Sequence, residues 1–207
     1  AGHSQGGQAA LFAAALARRR APELRLAGVD ALAAASSVSG FVHFLPQFRR
    51  PVRTTGLLPY ILAGAQTVSA DVRPLDLLTP AAAAFYPLVE SACVEELLAP
   101  ASFAGLLPTT MMVPGASTAA LQKVLRANDP RDLRIRVPVF LQQGEADGLV
   151  PLYTSFGALY GRLVNHGARV AFRTYPKVDH VAIVSAGSPA AVAWAAARAG
   201  LSPRRPA

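Results

Sequence analysis

The run Gly2-His3-Ser4-Gln5-Gly6-Gly7, leading straight into the alanine-rich segment from Gln8 to Arg20, constrains this chain more than any other feature. It has the form G-x-S-x-G followed by a helix, the sequence form of a nucleophile elbow. Such a serine sits on a very tight strand-to-helix turn. Gly2 and Gly6 flank it because side chains there are expected to collide as the backbone doubles back. The turn lifts the Ser4 hydroxyl clear of the sheet and aims the N–H of Gln5 at the same spot, where a developing oxyanion would be held. A serine hydroxyl is a weak nucleophile by itself, so the motif predicts a histidine base and a carboxylate later in the chain.

With 207 residues, 52% of them hydrophobic, the chain can bury one good core, or a core and a second compact unit. Charged residues make up 15%, too few for a solvated disordered tail. The net charge of +8 is carried mostly by arginine, 18 of the 20 basic residues. These are dispersed. Their longest run, Arg18-Arg19-Arg20, falls where the first helix should end, so it complements the helix dipole. No basic stripe or reading module for nucleic acid is present. The single Cys93 excludes a disulfide within this sequence and any cysteine-rich metal site, and it reads as a buried thiol. No apolar stretch is long enough to span a membrane; the nearest, from Val181 to Ala197, is interrupted by Ser185, Gly187, Ser188 and Pro189.

Along the chain, the elbow helix over about 5–20 precedes a short apolar strand from Leu24 to Val29 that ends at Asp30. Small residues from Ala33 to Gly40 leave the sheet. Between Phe41 and Asn128 prolines recur at 46, 51, 59, 74, 80, 87, 100, 108 and 114, chopping the segment into short helices. The best helical candidates there are 57–70, 80–98 and 117–127, with no strand pattern. Strand character returns over 137–142, closed by Gly144-Glu145-Ala146-Asp147-Gly148. A helix over 151–165, an alternating strand over 168–175, a loop carrying His180 and a last helix over 189–199 complete the pattern; Leu201 to Ala207 reads as a frayed tail. The expected fold class is α/β, with three parallel strands, flanking helices and an inserted helical cap. The division is 1–40 and 131–207 for the core and 41–130 for the cap.

Three candidates fall beyond the carboxyl ends of strands, where open α/β sheets bind ligands: Ser4, Asp147 and His180. Ser4 would attack an acyl carbon, His180 would take and return its proton, and Asp147 would orient the imidazole. The other histidines have plainer roles. His3 points away from the serine by adjacency and packs within the elbow, His43 opens the cap, and His166 ends a helix beside Gly167. Asp-Gly turns are common for local reasons, so Asp30, at a strand end, stays open as an alternative acid. Glu145 and Asp179 rank lower, because neighbouring side chains in an extended loop seldom face each other. There is no H-E-x-x-H, cysteine pair or carboxylate cluster for a metal, and no G-x-G-x-x-G after a strand for a dinucleotide. No cofactor is expected.

The segments Gly2-His3-Ser4-Gln5-Gly6-Gly7-Gln8-Ala9-Ala10, Val137-Pro138-Val139, Gly144-Glu145-Ala146-Asp147-Gly148-Leu149-Val150-Pro151 and Tyr175-Pro176-Lys177-Val178-Asp179-His180 resemble the α/β-hydrolase superfamily. Within it the chain resembles the microbial secretory lipase family, serine esterases and lipases with a helical cap after the sixth strand. The resemblance implies Ser4, Asp147 and His180 as a triad and the Gln5 amide as one oxyanion donor. It implies that the chain is the C-terminal portion of a longer protein, whose N-terminal loop carries the second donor, and that the whole is secreted or in the cell envelope. The apolar cap residues, among them Phe41, Phe44, Leu45, Phe48, Phe103, Met111 and Met112, favour a hydrophobic acyl ester or lipid as substrate over a sugar or phosphate. Thioesterase, acyltransferase and peptidase chemistry on the same scaffold, or a truncated fragment without activity, stay open at this level.

Overall fold

A computed structural model describes residues 1–200; the tail from Leu201 lies outside the described residues. In chain order the strands and α-helices are β1 (Gly2–His3), α1 (Gln5–Arg20), β2 (Val29–Leu32), α2 (Val38–Phe44), α3 (Leu58–Val68), α4 (Pro74–Leu77), α5 (Pro80–Ala83), α6 (Val94–Leu97), α7 (Ala119–Ala127), β3 (Val139–Gly144), α8 (Gly161–Asn165), β4 (Val170–Tyr175) and α9 (Ala182–Ala199). They form two compact units, residues 1–37 with 129–200 in one and residues 38–128 in the other.

The first unit is built on a four-stranded parallel sheet in the order β1-β2-β3-β4. Three strands are expected from the apolar pattern. The fourth is Gly2–His3, too short to carry a periodic signal, and it exists because Gly2 pairs with Ala31 and His3 with Leu32. The strand expected over Leu24 to Val29 instead begins at Val29. Leu24 is 67% exposed and Leu26 39%, whereas every residue from Val29 to Leu32 is buried. An inner parallel strand is covered on both faces, so a segment containing Arg25 is excluded from it and the next four residues take its place. Asp30 therefore lies inside β2 rather than at its end.

On one face, Leu11 and Ala14 of α1 and Leu163 of α8 pack with Val29, Ala31, Val139 and Leu141. On the other, Ile183 of α9 packs with Leu32 and Ala33. Gly187 lets α9 lie flat on the sheet, since a Cβ there would stand 2.8 Å from a Leu32 methyl and 3.0 Å from the Gln142 side chain. α9 starts well before Pro189 and runs through it. A proline inside a helix removes one ladder bond and crowds the preceding turn, and the packing of Ile183 and Gly187 against the sheet outweighs that loss. The predicted helix over 151–165 forms as a π-helical stretch, Thr154–Tyr160, continuing into α8.

The second unit has its own core, which includes Leu45, Leu58, Leu62, Leu97, Phe103, Met111 and Leu121, all at most 1% exposed. The helix expected over 80–98 is broken into α5, a 3-10 turn at Tyr86–Glu90 around Pro87, and α6. Cys93 is exposed, not buried. It precedes α6, and its backbone N–H donates to Glu96 Oε2 at 2.6 Å, which leaves the thiol outside the core. The β-pairing in this unit is a single antiparallel bridge, Leu78 to Met112. No helix among the described residues is long and apolar enough to cross a membrane.

Two glycines in one motif should respond oppositely. A Cβ on Gly2 would sit 2.0 Å from the Gly6 carbonyl oxygen, whereas one on Gly6 meets nothing within 4 Å. The clash expected at both positions belongs to Gly2 alone. Gly2→Ala should destabilise by about 3 kcal/mol or more, the upper range for overpacking against atoms that cannot yield. Gly6→Ala, inside α1, should stabilise by about 0.5–1 kcal/mol through helix propensity. Denaturant unfolding of the two variants measures both signs.

Candidate active site

Ser4 occupies the junction of β1 and α1 with φ 55 and ψ −123, a conformation that non-glycine residues rarely adopt. Holding it costs about 1–3 kcal/mol, so the surroundings must fix it. They do so from both sides. The Ser4 N–H donates to the Leu32 carbonyl at 2.9 Å, and the Ser4 carbonyl accepts from the N–H groups of Gln8 and Ala35, each at 3.1 Å. The missing Cβ of Gly2 leaves room for the Gly6 backbone to fold back over it. Gln5 is the first residue of α1, so its N–H has no intrahelical acceptor and stays available beside the serine.

Asp147 follows β3. Its Oδ1 accepts from the backbone N–H groups of Leu149 and Val150, both at 2.8 Å. Its Oδ2 accepts from His180 Nδ1 at 2.8 Å and from Gln143 Nε2 at 3.0 Å. Burial pushes this carboxyl group's pKa up, but the hydrogen bonds from His180, Val150 and Leu149 outweigh it and hold the net shift downward. The side chain of Asp147 is wholly buried and that of His180 is 12% exposed.

His180 lies in the loop between β4 and α9. Its other nitrogen, Nε2, stands 2.9 Å from Ser4 Oγ. With the carboxylate ionised, Nδ1 carries the proton and Nε2 is left as the acceptor for the serine hydroxyl. Backbone bonds tie the two loops together: Glu145 N–H to the Tyr175 carbonyl and Ala146 N–H to the Val178 carbonyl, both at 3.0 Å. Gly144 permits that approach, since a Cβ there would lie 2.3 Å from the Val178 oxygen. Lys177, at φ 60, turns the chain between β4 and His180. A serine hydroxyl, an imidazole and a buried carboxylate in series can pass a proton from the first to the second while the third stabilises the charge that forms.

The alternatives sort by geometry. Asp30 is buried in β2, where its Oδ1 accepts from Gln142 Nε2 at 3.0 Å and its Oδ2 has no hydrogen-bond partner. Burial raises its pKa. The Tyr175 hydroxyl donates to the same Gln142 amide, so Asp30 belongs to a polar string beneath α9 and not to the imidazole. Asp179 accepts from the N–H groups of Val181 and Ala182 and starts α9. Glu145 is exposed. His43 is an exposed residue against Phe44, and His166 ends α8 with Asp132 at 3.6 Å. No group of three or more metal-ligating side chains occurs among the described residues.

Sequence reasoning missed two neighbours. His3 does more than fill the elbow: its Nε2 lies 2.7 Å from the carbonyl oxygen of His180, and the two rings are 4.7 Å apart. A carbonyl only accepts, so that nitrogen of His3 carries a proton, and burial lowers the pKa of the ring. Gln143, which is wholly buried, touches the Asp147 carboxylate. The available signal was the pair Gln142-Gln143 inside an otherwise apolar strand, since buried amides must find partners.

The fold is that of lipase-like α/β hydrolases. The secretory lipase family profile matches residues 1–204, and the chain belongs to that family. Among solved structures, lipase A from Candida antarctica in its closed state superposes with a TM-score of 0.74 at 18% identity, covering 99% of this chain and 49% of that one. The rice cell wall degrading esterase LipA from Xanthomonas oryzae gives a TM-score of 0.71 at 16% identity, covering 85% and 50%. The chain thus spans about half the length of these proteins. Among curated protein sequences, none matches.

The pH dependence of stability separates the two buried acids. A raised pKa means that Asp30 contributes fully to stability below the ordinary carboxylate value of 3.8 and loses that contribution as pH rises through its higher folded value. Asp147, held low, does the reverse: its contribution is present above 3.8 and lost as pH falls through the folded value. Asp30→Asn should therefore gain stability relative to wild type as pH rises from acid to neutral, and Asp147→Asn should lose it. Thermal melting across that range checks both.

Proposed function

We propose that this chain carries the catalytic centre of a serine carboxylic-ester hydrolase, a lipase or esterase acting on hydrophobic acyl esters. The observation that supports the reading best is the continuous series Ser4 Oγ, His180 Nε2, His180 Nδ1 and Asp147 Oδ2, with contacts of 2.9 and 2.8 Å. Ser4 Oγ attacks the acyl carbon while His180 Nε2 takes its proton. The ionised Asp147 carboxylate balances the imidazolium, and the Gln5 N–H donates to the oxyanion. Collapse breaks the carbon–oxygen bond to the alcohol, which leaves with the proton from His180. Water then attacks the acyl-enzyme with His180 again as base, releasing the acid and restoring Ser4. Metal and cofactor have no step in this cycle. Residues 41–130 act in this reading as the helical cap, and their apolar side chains favour a hydrophobic acyl group.

A fluorophosphonate probe should label the intact protein, and Ser4→Ala should abolish both labelling and the hydrolysis of nitrophenyl esters. Asp147→Asn should lower kcat by roughly 10⁴-fold, because the amide stabilises the wrong imidazole tautomer. Asp30→Asn should stay within about threefold of wild type, as expected for a group outside the proton path. Equal labelling with and without Ser4 overturns the reading. Cleavage of thioesters or peptides in preference to oxygen esters reassigns the substrate class.

A further inference from the structure

Gln143 interrupts an apolar strand, is wholly buried, and has every polar atom engaged. Its Nε2 lies 3.0 Å from Asp147 Oδ2, 2.9 Å from the Val150 carbonyl and 3.2 Å from the Gly144 carbonyl. Its Oε1 accepts from the Ser155 hydroxyl at 2.6 Å. The orientation of the amide follows from chemistry. Nε2 faces three oxygens, two of them carbonyls that only accept, so turning the amide over would bring oxygen against oxygen at each contact. Ser155 is itself 3% exposed and sits on the π-helical stretch that follows the Asp147 loop.

We propose that Gln143, locked by Ser155, is a positioning residue for the reaction: it fixes the Asp147 carboxylate so that Oδ2 faces His180 Nδ1. The inference rests on the ester-hydrolase reading above. The two backbone N–H donors on Oδ1 leave the carboxylate free to pivot about that oxygen. Gln143, fixed within β3, removes this freedom by holding Oδ2 as a second donor beside His180 Nδ1. Because the two Nε2 hydrogens are shared among Asp147 Oδ2 and the carbonyls at both ends of the Asp147 loop, Val150 and, at the longest distance, Gly144, one amide sets both the loop and its carboxylate. The charged group it touches is Asp147; the titratable His180 and His3 lie beyond that contact.

The test compares Gln143→Leu, Gln143→Glu and Ser155→Ala with wild type in the intact protein, measuring fluorophosphonate labelling, kcat and KM for a nitrophenyl ester, and melting temperature. Gln143→Leu should lower kcat roughly ten- to a hundredfold at every pH, with KM within about twofold, as a misplaced catalytic group does. Gln143→Glu should behave differently. Burial beside another carboxylate keeps the new acid protonated at low pH, where it can donate to Asp147 and accept from Ser155. Its activity relative to wild type at the same pH should be nearly full at about pH 5 and fall progressively toward about pH 9. Parallel pH profiles for the two Gln143 variants mean that the side chain only fills space, and that overturns the proposal. So does a folded Gln143→Leu with kcat within about twofold of wild type. If Gln143→Leu does not fold, Ser155→Ala decides: a fall in kcat of about threefold or more at unchanged KM supports the role, and no change overturns it. A wild-type protein that the probe does not label overturns the ester-hydrolase reading and the role of Gln143 with it. A labelled, active wild type beside unaffected variants overturns the Gln143 proposal alone.

Discussion

The fold-back of the Gly6 backbone over Gly2 is the contact on which the rest of the arrangement depends. It places Ser4 at a positive φ that a serine does not choose for itself, and that conformation both ends β1 after two residues and launches α1 from the sheet edge. The strain is held in place by the hydrogen bonds that Ser4 makes to Leu32 and Ala35, the end of β2 and the residues just beyond it. The depth and register of β2 are thus part of the same device. A strand running from Leu24 to Val29 would have left those groups out of reach of the serine.

The second organising element is a buried negative charge. Asp147 is wholly enclosed, a setting that by itself favours the neutral acid, yet four donors converge on its two oxygens and favour the ionised form. Two of those donors come from its own loop, one from the strand before it and one from the loop after β4. The carboxylate therefore joins segments far apart in the chain, and the stitching of Glu145 and Ala146 to the β4 loop reinforces the join. The carbonyl of His180 is held from the other side by His3, so the imidazole is anchored through its backbone as well as its ring. Asp30 shows the contrast: it has a single side-chain donor and an unpartnered oxygen, and burial dominates its titration.

Much of this was legible in the residues. Gly2-x-Ser4-x-Gly6 with a helix behind it, followed in order by Asp147 and His180 beyond strands, marked the set that the structure gathers within hydrogen-bond distance. Other elements were not legible, each for a local physical reason. β1 is too short for periodicity. Leu24 and Leu26 imitate a strand, but Arg25 between them cannot enter a sheet covered on both faces. Pro189 reads as a helix start, although the packing of Ile183 and Gly187 on the sheet carries α9 through it. Cys93 reads as a core residue, although the turn before α6 leaves it outside.

By itself the sequence determined the turn at Ser4, because a missing Cβ and a strand-to-helix change are properties of a few adjacent residues. It also determined the α/β class, through alternating apolar segments, and the identities of the side chains able to handle a proton. The tertiary structure alone decided which acid meets the imidazole, since both aspartates follow apolar runs in the sequence, and only the packed sheet puts Asp30 inside β2 and Asp147 beyond the end of β3. It alone gave His3 and Gln143 their partners. The His3 contact joins opposite ends of the chain, and the Gln143 contacts, though close in sequence, depend on how the Asp147 loop folds back on the strand, which no residue pattern encodes.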